Sequence, residues 1–134
     1  MQTAIYRRLT GDAPLLDMAT GGVHDQVPEG TPKPYVRIGD HLSTPDNDLT
    51  SYGREIVATL HVWTEARGNQ QGQAIAARIV ELLDHQAAAL SVLLTGHRVV
   101  SIRCEFDQAL PDPNPQVRHH IIRFRIKTAQ EEAT

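Results

Sequence analysis

Seven histidines, at His24, His41, His61, His85, His97, His119 and His120, are the side chains of this sequence best suited to binding a metal or moving a proton. Their spacing argues against both. His119 and His120 are adjacent in a segment that alternates like a strand, so their rings point to opposite faces and cannot share one ion. The other five are scattered, with no His-x-x-x-His or glutamate-flanked helical pair to make half a site. Cys104 is the one cysteine, which excludes an internal disulfide and a zinc cluster of several thiolates and fits a reducing compartment. Between Ile102 and Phe106 at two-residue spacing, it is expected on a core face, where a thiol behaves as a small hydrophobe and its pKa rises. Ser43, Ser51, Ser91 and Ser101 lack the glycines of a nucleophile elbow. Gly21-Gly22 is not a phosphate loop, because the Gly-x-x-x-x-Gly-Lys pattern and a preceding strand are both missing. Asp46 and Asp48 have no apolar wall beside them to raise a pKa and read as solvated loop residues. No catalytic residue, cofactor or metal ion is expected. One enzymatic arrangement stays open, a subunit-interface pocket around His61, Trp63 and His120.

The basic residues Arg98, Arg103, Arg118, Arg123, Arg125 and Lys127 form the one concentrated charge feature, on the last two strand-like segments. They suit contact with another subunit or a phosphate, and equally an ordinary solvated face balanced by Glu105 and Asp107. Thirteen Lys and Arg against 16 Asp and Glu leave a net charge of −3. That balance disfavours tight nucleic-acid binding driven by phosphate neutralisation and leaves room for weak, transient contact with DNA. One Trp, three Tyr and two Phe are too few for a platform that stacks single-stranded bases.

These side chains must be positioned by a small set of elements. The 134 residues include 33 Leu, Ile, Val and Phe, enough for one core and one domain. No apolar run approaches the about 18 residues of a membrane span, and Met1 to Tyr6, followed by Arg7 and Arg8, lacks the apolar stretch of a signal peptide. A soluble protein made in a cytoplasm is expected. Ile5 and Leu9 lie one turn apart, which predicts a short amphipathic helix ending at Thr10-Gly11. Asp12 then caps a second turn with Pro14 near its start and Leu15, Leu16 and Met18 as contacts, broken by Gly21-Gly22. Val23 to Val27 is strand-like, residues 28–34 form a loop stiffened by three prolines, and Tyr35 to Asp40 is a second strand. His41 to Gly53 is polar and reads as a long exposed loop, the first place to look for a partner surface.

Arg54 to Thr64 alternates most cleanly, with Ile56, Ala58, Leu60 and Val62 on one face and Glu55, Val57, Thr59, His61 and Trp63 on the other. The second face is not fully polar, so it is expected to pack on a helix, a loop or another subunit. Arg67-Gly68-Asn69 turns the chain. Ile75, Ala76, Ile79, Leu82 and Leu83 then predict the long helix, from Gln70 to about residue 84, followed by an irregular connection through Leu90, Leu93 and Leu94. In His97 to Ala109 the core set is expected to be Val100, Ile102, Cys104 and Phe106. In Val117 to Lys127 it is His120, Ile122, Phe124 and Ile126. The rigid turn Leu110 to Gln116 makes these two an antiparallel hairpin, with Glu105 and Asp107 facing Arg123, Arg125 and Lys127 across it. The fold class is α+β: an antiparallel-rich sheet of about four to five strands with the long helix and a short N-terminal helix packed on it. Residues 1–128 form the domain and 129–134 a flexible acidic tail.

Four segments carry a resemblance when taken in order: Val23-His24-Asp25-Gln26-Val27-Pro28-Glu29-Gly30, Pro34-Tyr35-Val36-Arg37-Ile38-Gly39, Leu60-His61-Val62-Trp63-Thr64-Glu65-Ala66-Arg67-Gly68 and Gly96-His97-Arg98-Val99-Val100. Nearly end to end, the chain resembles the tail-completion or tail-terminator family of long-tailed phages and gene transfer agents. His24 departs from it, since many members carry Tyr there. The resemblance implies an α+β fold and a homo-oligomeric ring, a hexamer, at the head-proximal end of the tail tube. The ring caps tube polymerisation and joins the tail to the head, with DNA passing through its lumen.

Implied partners are further copies of the chain, the tail tube protein, the head connector or stopper protein and transient, non-specific DNA, with no membrane. The implied location is the virion, at the head–tail junction, after assembly in the bacterial cytoplasm. The family has no catalytic residues to transfer. In that setting Thr44, Asp46, Asn47, Asp48, Tyr52, Asp112 and Asn114 are the candidates for contact with tube or connector, and Arg54, Arg103, Arg123 and Arg125 for contact between subunits. Two rival readings are a related virion joint, the head-side stopper or a baseplate protein, and the small enzyme named above.

Overall fold

The computed structural model describes residues 1–47, 52–65, 70–111, 113–114 and 116–130. Two short helices open the chain, α1 (Gln2–Thr10) and α2 (Ala13–Met18). Asp12 caps α2 as its composition predicts: the carboxylate accepts from the Leu15 N–H at 3.0 Å, and Pro14 sits where a missing N–H costs nothing. The two-residue strand β1 (Val23–His24) and the strand β2 (Tyr35–Pro45) follow. Then come β3 (Gly53–Thr64), the helices α3 (Gln70–Leu83) and α4 (Ala87–Ser91), and the strands β4 (His97–Leu110) and β5 (Arg118–Gln130). The fold is α+β. Its five-stranded sheet has the order β1-β2-β3-β5-β4, parallel only between β1 and β2 and antiparallel elsewhere.

All the helices lie on one face. Ile56, Ala58, Leu60 and Val62 of β3, Ile122, Phe124 and Ile126 of β5, and Val36 and Ile38 of β2 are buried there against Ile5, Leu9, Leu15, Ile75, Ile79, Leu83 and Leu90. Each of these side chains except Ala58 contributes about 1.5–3 kcal/mol of burial. Two polar ties seat the helices on one another. Arg8 Nε donates to the Leu82 carbonyl at 2.9 Å, and Arg78 reaches Asp12 through Nε at 2.9 Å and Nη2 at 2.7 Å.

Several expectations change. Of the long loop expected from His41 to Gly53, residues 41–45 belong to β2 and Gly53 opens β3, with Asp46 N–H donating to the Gly53 carbonyl at 3.0 Å, while residues 48–51 lie outside the described residues. His41 to Pro45 pair with Arg54 to Ala58 beyond the edge of the core, so a strand without apolar anchors reads as a loop. The strand expected over Val23 to Val27 is confined to two residues, and the region of Leu90 includes a helical turn. Ala129 and Gln130, assigned to the tail, are the last residues of β5. On β4, Val99 is 5% exposed and Val100 50%, the reverse of the simple alternation. A register shift between Val99 and Ser101 puts one extra residue into the strand and exchanges the two faces. A second shift between Cys104 and Phe106 moves Phe106 off the core face and Asp107 onto it. Cys104 itself is half-buried, and burial pushes its thiol pKa up. The turn expected at Arg67-Gly68-Asn69 and tail residues 131–134 lie outside the described residues.

Candidate assembly surface

The sheet face away from the helices carries no element among the described residues. In an antiparallel ladder, directly opposed residues share a face, so the registers read this surface row by row. Tyr35, Trp63, His119 and Leu110 form the row at one end, and Arg37, His61, Ile121 and Gln108 the next. Further along come Leu42, Val57, Arg125 and Arg103, then Thr44, Glu55, Lys127 and Ser101. The face is therefore divided, aromatic and apolar at one end and charged at the other.

At the aromatic end the His119 ring lies on Trp63, with centroids 3.7 Å apart and planes 8° from parallel, and on its other side meets His61 at 5.0 Å. His61 Nδ1 and His119 Nε2 are 2.7 Å apart and share one hydrogen bond. Burial, with His119 and Arg37 close by, pushes the His61 pKa down to about 4. His120, by contrast, points to the helix side, where it pairs with Asp107. The pocket imagined around His61, Trp63 and His120 is thus divided by the sheet itself. His119 is the residue that joins the first two, because β5 is paired to β3 in the register Trp63 to His119. No local pattern near His119 announces that pairing.

At the charged end, Arg125 is held by Glu105, Nε to Oε2 at 2.8 Å, and by Glu55. These two carboxylates hold its pKa above the usual arginine range and offset the like charge of Arg103 directly opposite. Arg123 stands 5.4 Å over the Phe106 ring. The expected pairing of Glu105 with Arg125 is present, whereas Asp107 is used by His120.

The two hairpins end at opposite ends of the sheet. The β2–β3 tip lies beside Gln130, whose N–H donates to the Tyr52 carbonyl at 2.8 Å, and the β4–β5 tip follows the Leu110 to His119 pair. Along the 12 residues of β3 the separation is about 40 Å. At the first tip Asn47, Tyr52 and Arg54 line a groove with Pro45, His97, Thr128 and Gln130. Tyr52 is 70% exposed. Asp46 is exposed, while three other candidates help build the hairpin. Asn47 Oδ1 accepts from Gly53 N–H at 3.1 Å, Arg54 Nη1 donates to Ser43 Oγ at 3.3 Å, and Thr44 Oγ1 donates to the Glu55 carbonyl at 3.4 Å. At the second tip Asn114 Oδ1 accepts from Gln116 N–H at 2.9 Å, shaping the turn. Asp48 and Asp112 lie outside the described residues. The five described contact candidates therefore do not form one patch.

Comparison with known proteins adds to this geometry. Residues 3–129 match the family described as tail completion protein gp17. The chain is 29% identical over 126 residues to the tail completion protein gp17 of Bacillus phage SPP1, spanning 94% of this chain and 90% of that one. Among solved structures it is similar to a chain in the virion of a native gene transfer agent particle, with a TM-score of 0.85 and 25% identity over 96% of this chain and 94% of that one. The structure of bacteriophage SPP1 gp17 superposes with a TM-score of 0.56 at 25% identity, covering 99% of this chain and 90% of that one.

Proposed function

The chain belongs to the tail completion protein gp17 family, and from that membership we propose that it is the tail terminator of a phage or gene transfer agent particle. As a tail completion protein it is a structural component and not an enzyme. In this reading it forms a hexameric ring at the head-proximal end of the tail tube. The ring stops tube growth and joins the tail to the head connector or stopper, and DNA crosses its lumen.

The observation that carries the reading is the pair of hairpin tips about 40 Å apart on one rigid sheet. A joint must offer two different surfaces to two partners, and these tips face opposite ways. The groove at Asn47, Tyr52 and Arg54 serves one partner and the turn at Asn114 the other. The uncovered sheet face between them is left for neighbouring copies, with Arg103, Arg123 and Arg125 at its charged end. A net charge of −3 per chain suits a passage that DNA must cross without being held.

Deleting the gene in a producing strain tests the role. A terminator's absence leaves filled heads beside unattached tails of uncontrolled length in electron micrographs. Tails of normal length beside heads that lose their DNA would instead identify a head-side stopper and overturn the reading. Light scattering on the purified protein should give six times the 14.8 kDa subunit mass, or the same ring should form on added tail tubes, and a strict monomer in both settings would count against the ring.

A further inference from the structure

Among the described residues, the backbone hydrogen bonds of the two sheet edges do not all close within one chain. Ile56, Ala58, Leu60 and Val62 of β3 direct their backbone groups to β5, so their partners on β2, which are Ser43, His41, Ile38 and Val36, direct theirs outward. Val36 N–H is taken by the Gly22 carbonyl at 2.9 Å, and β1 pairs only with Val36 and Arg37. Beyond it, His41 and Ser43 have outward backbone groups with no partner among the described residues, and Pro45 ends the run because it has no N–H to offer.

The same alternation makes Ile102, Cys104, Asp107 and Ala109 the outward residues of β4. The first part of that edge is closed: Val99 N–H donates to Ser91 Oγ at 2.9 Å, the Ile102 carbonyl accepts from His85 N–H at 2.9 Å, and Cys104 N–H donates to Asp84 Oδ1 at 2.7 Å. Asp107 and Ala109 are left open among the described residues.

We propose that these two open segments pair with each other between copies, Ser43 of one opposite Asp107 of the next and His41 opposite Ala109. This rests on the ring reading above and specifies its contact. Three observations favour a second copy of the chain as the occupant. The segments match in length, two outward residues each, and each is bounded by structure that stops the pairing from sliding: β1 and Pro45 on one, the α3–α4 connection on the other. β2 and β4 run antiparallel within the sheet, so a copy placed alongside in the same orientation meets the edge with the right polarity. All four side chains lie on the helix side, so the helices of both copies end on one side of a continuous sheet.

The contact joins two different edges, so it is head-to-tail and closes only as a ring. Its offset is four residues, about 13 Å, across four strands, about 19 Å, which corresponds to strands tilted about 35° to the ring axis, within the usual range for closed sheets. In this arrangement the neighbour's Pro111 turn is directed at the groove lined by Gln2, Thr3, Tyr6, Val23, His24 and Ile38.

Leu42 and Gln108, both exposed on the uncovered face, come opposite one another in this register and form the test. Within one chain they stand three strands apart, about 14 Å, beyond the reach of a disulfide. A Leu42→Cys/Gln108→Cys variant in a Cys104→Ala background is oxidised as purified protein and within assembled particles. It should give a ladder of linked chains on a non-reducing gel that collapses with reductant, while each single variant stops at dimer. Ala109→Pro removes an outward N–H that serves no bond among the described residues, so it should leave the thermal midpoint unchanged and abolish assembly. A ring seen by light scattering or in particles without the ladder overturns the edge pairing and leaves the ring reading standing. No assembly in either setting overturns both.

Discussion

His61 and His119 share a single hydrogen bond across the β3–β5 ladder, Nδ1 to Nε2 at 2.7 Å, on the sheet face opposite the described helices. One ring must donate and the other accept, so at least one is neutral. The acceptor cannot take a proton without breaking the bond.

A pH dependence follows. The His61 pKa in the fold is about 4, below the about 6.5 of an unfolded histidine. Between those values the unfolded chain binds more protons than the folded one, so stability rises with pH there. The stabilisation is fully present above about pH 6.5 and is lost as pH falls toward 4. Denaturant midpoints measured from pH 7.5 to 4 should fall in wild type and fall less in His61→Phe; equal slopes would show that this pair does not carry the effect.

Gly39 lies directly under the same ring. A Cβ there would stand 2.7 Å from the Thr59 carbonyl oxygen and 3.0 Å from the His61 ring. Gly39→Ala should cost about 1–3 kcal/mol, the range for overpacking, and displace His61, read as a changed imidazole shift by NMR. Unchanged urea unfolding would contradict this.

Asp12 serves two helices, capping α2 through Leu15 N–H and holding Arg78 of α3. Hydrogen bonding from Arg78 keeps its carboxyl below the usual range. Asp12→Ala should cost about 1–2 kcal/mol, with Asp12→Asn in between because it keeps the cap and loses the charge. Thermal melts of the two variants rank them.

Asp84 and Ser91 close the first part of the β4 edge. Replacing both with Ala should cost about 1 kcal/mol or more for each lost bond. It also uncovers strand edge, so the variant should aggregate on heating where wild type does not. Turbidity during a melt is the readout, and a reversible melt would oppose the prediction.

Tyr52 is exposed and is not among the described side chains packed against the core. Tyr52→Ser should leave the melting midpoint within about 0.5 kcal/mol of wild type, the usual range for surface changes. If its groove is a partner surface, joined particles should fall at least tenfold in a complementation assay. Wild-type yields would remove this tip from the contact.

The elements were legible wherever one face of a segment is apolar at a single period. Ile56 to Val62, Ile75 to Leu83 and His120 to Ile126 carry that signal, and their faces are the core. Asp12 and Pro14 likewise mark a helix start by purely local chemistry. The signal failed where the period breaks or the core ends: at Val99 and Val100, across the register shift at Cys104 and Phe106, and along the polar half of β2.

By itself the sequence determined an α+β fold, the antiparallel pairing of β4 with β5, the long helix and, through the order of its segments, a resemblance to tail-completion proteins. Only the tertiary structure decided that His119 rather than His120 joins His61 and Trp63, that the hairpin tips face opposite ways, and which stretches of edge are closed. Helix and strand periods are set by neighbours a few residues apart, so composition exposes them. Register between β3 and β5 and the covering of β4 by Asp84, His85 and Ser91 depend on groups brought together across the whole chain, which no local spacing encodes.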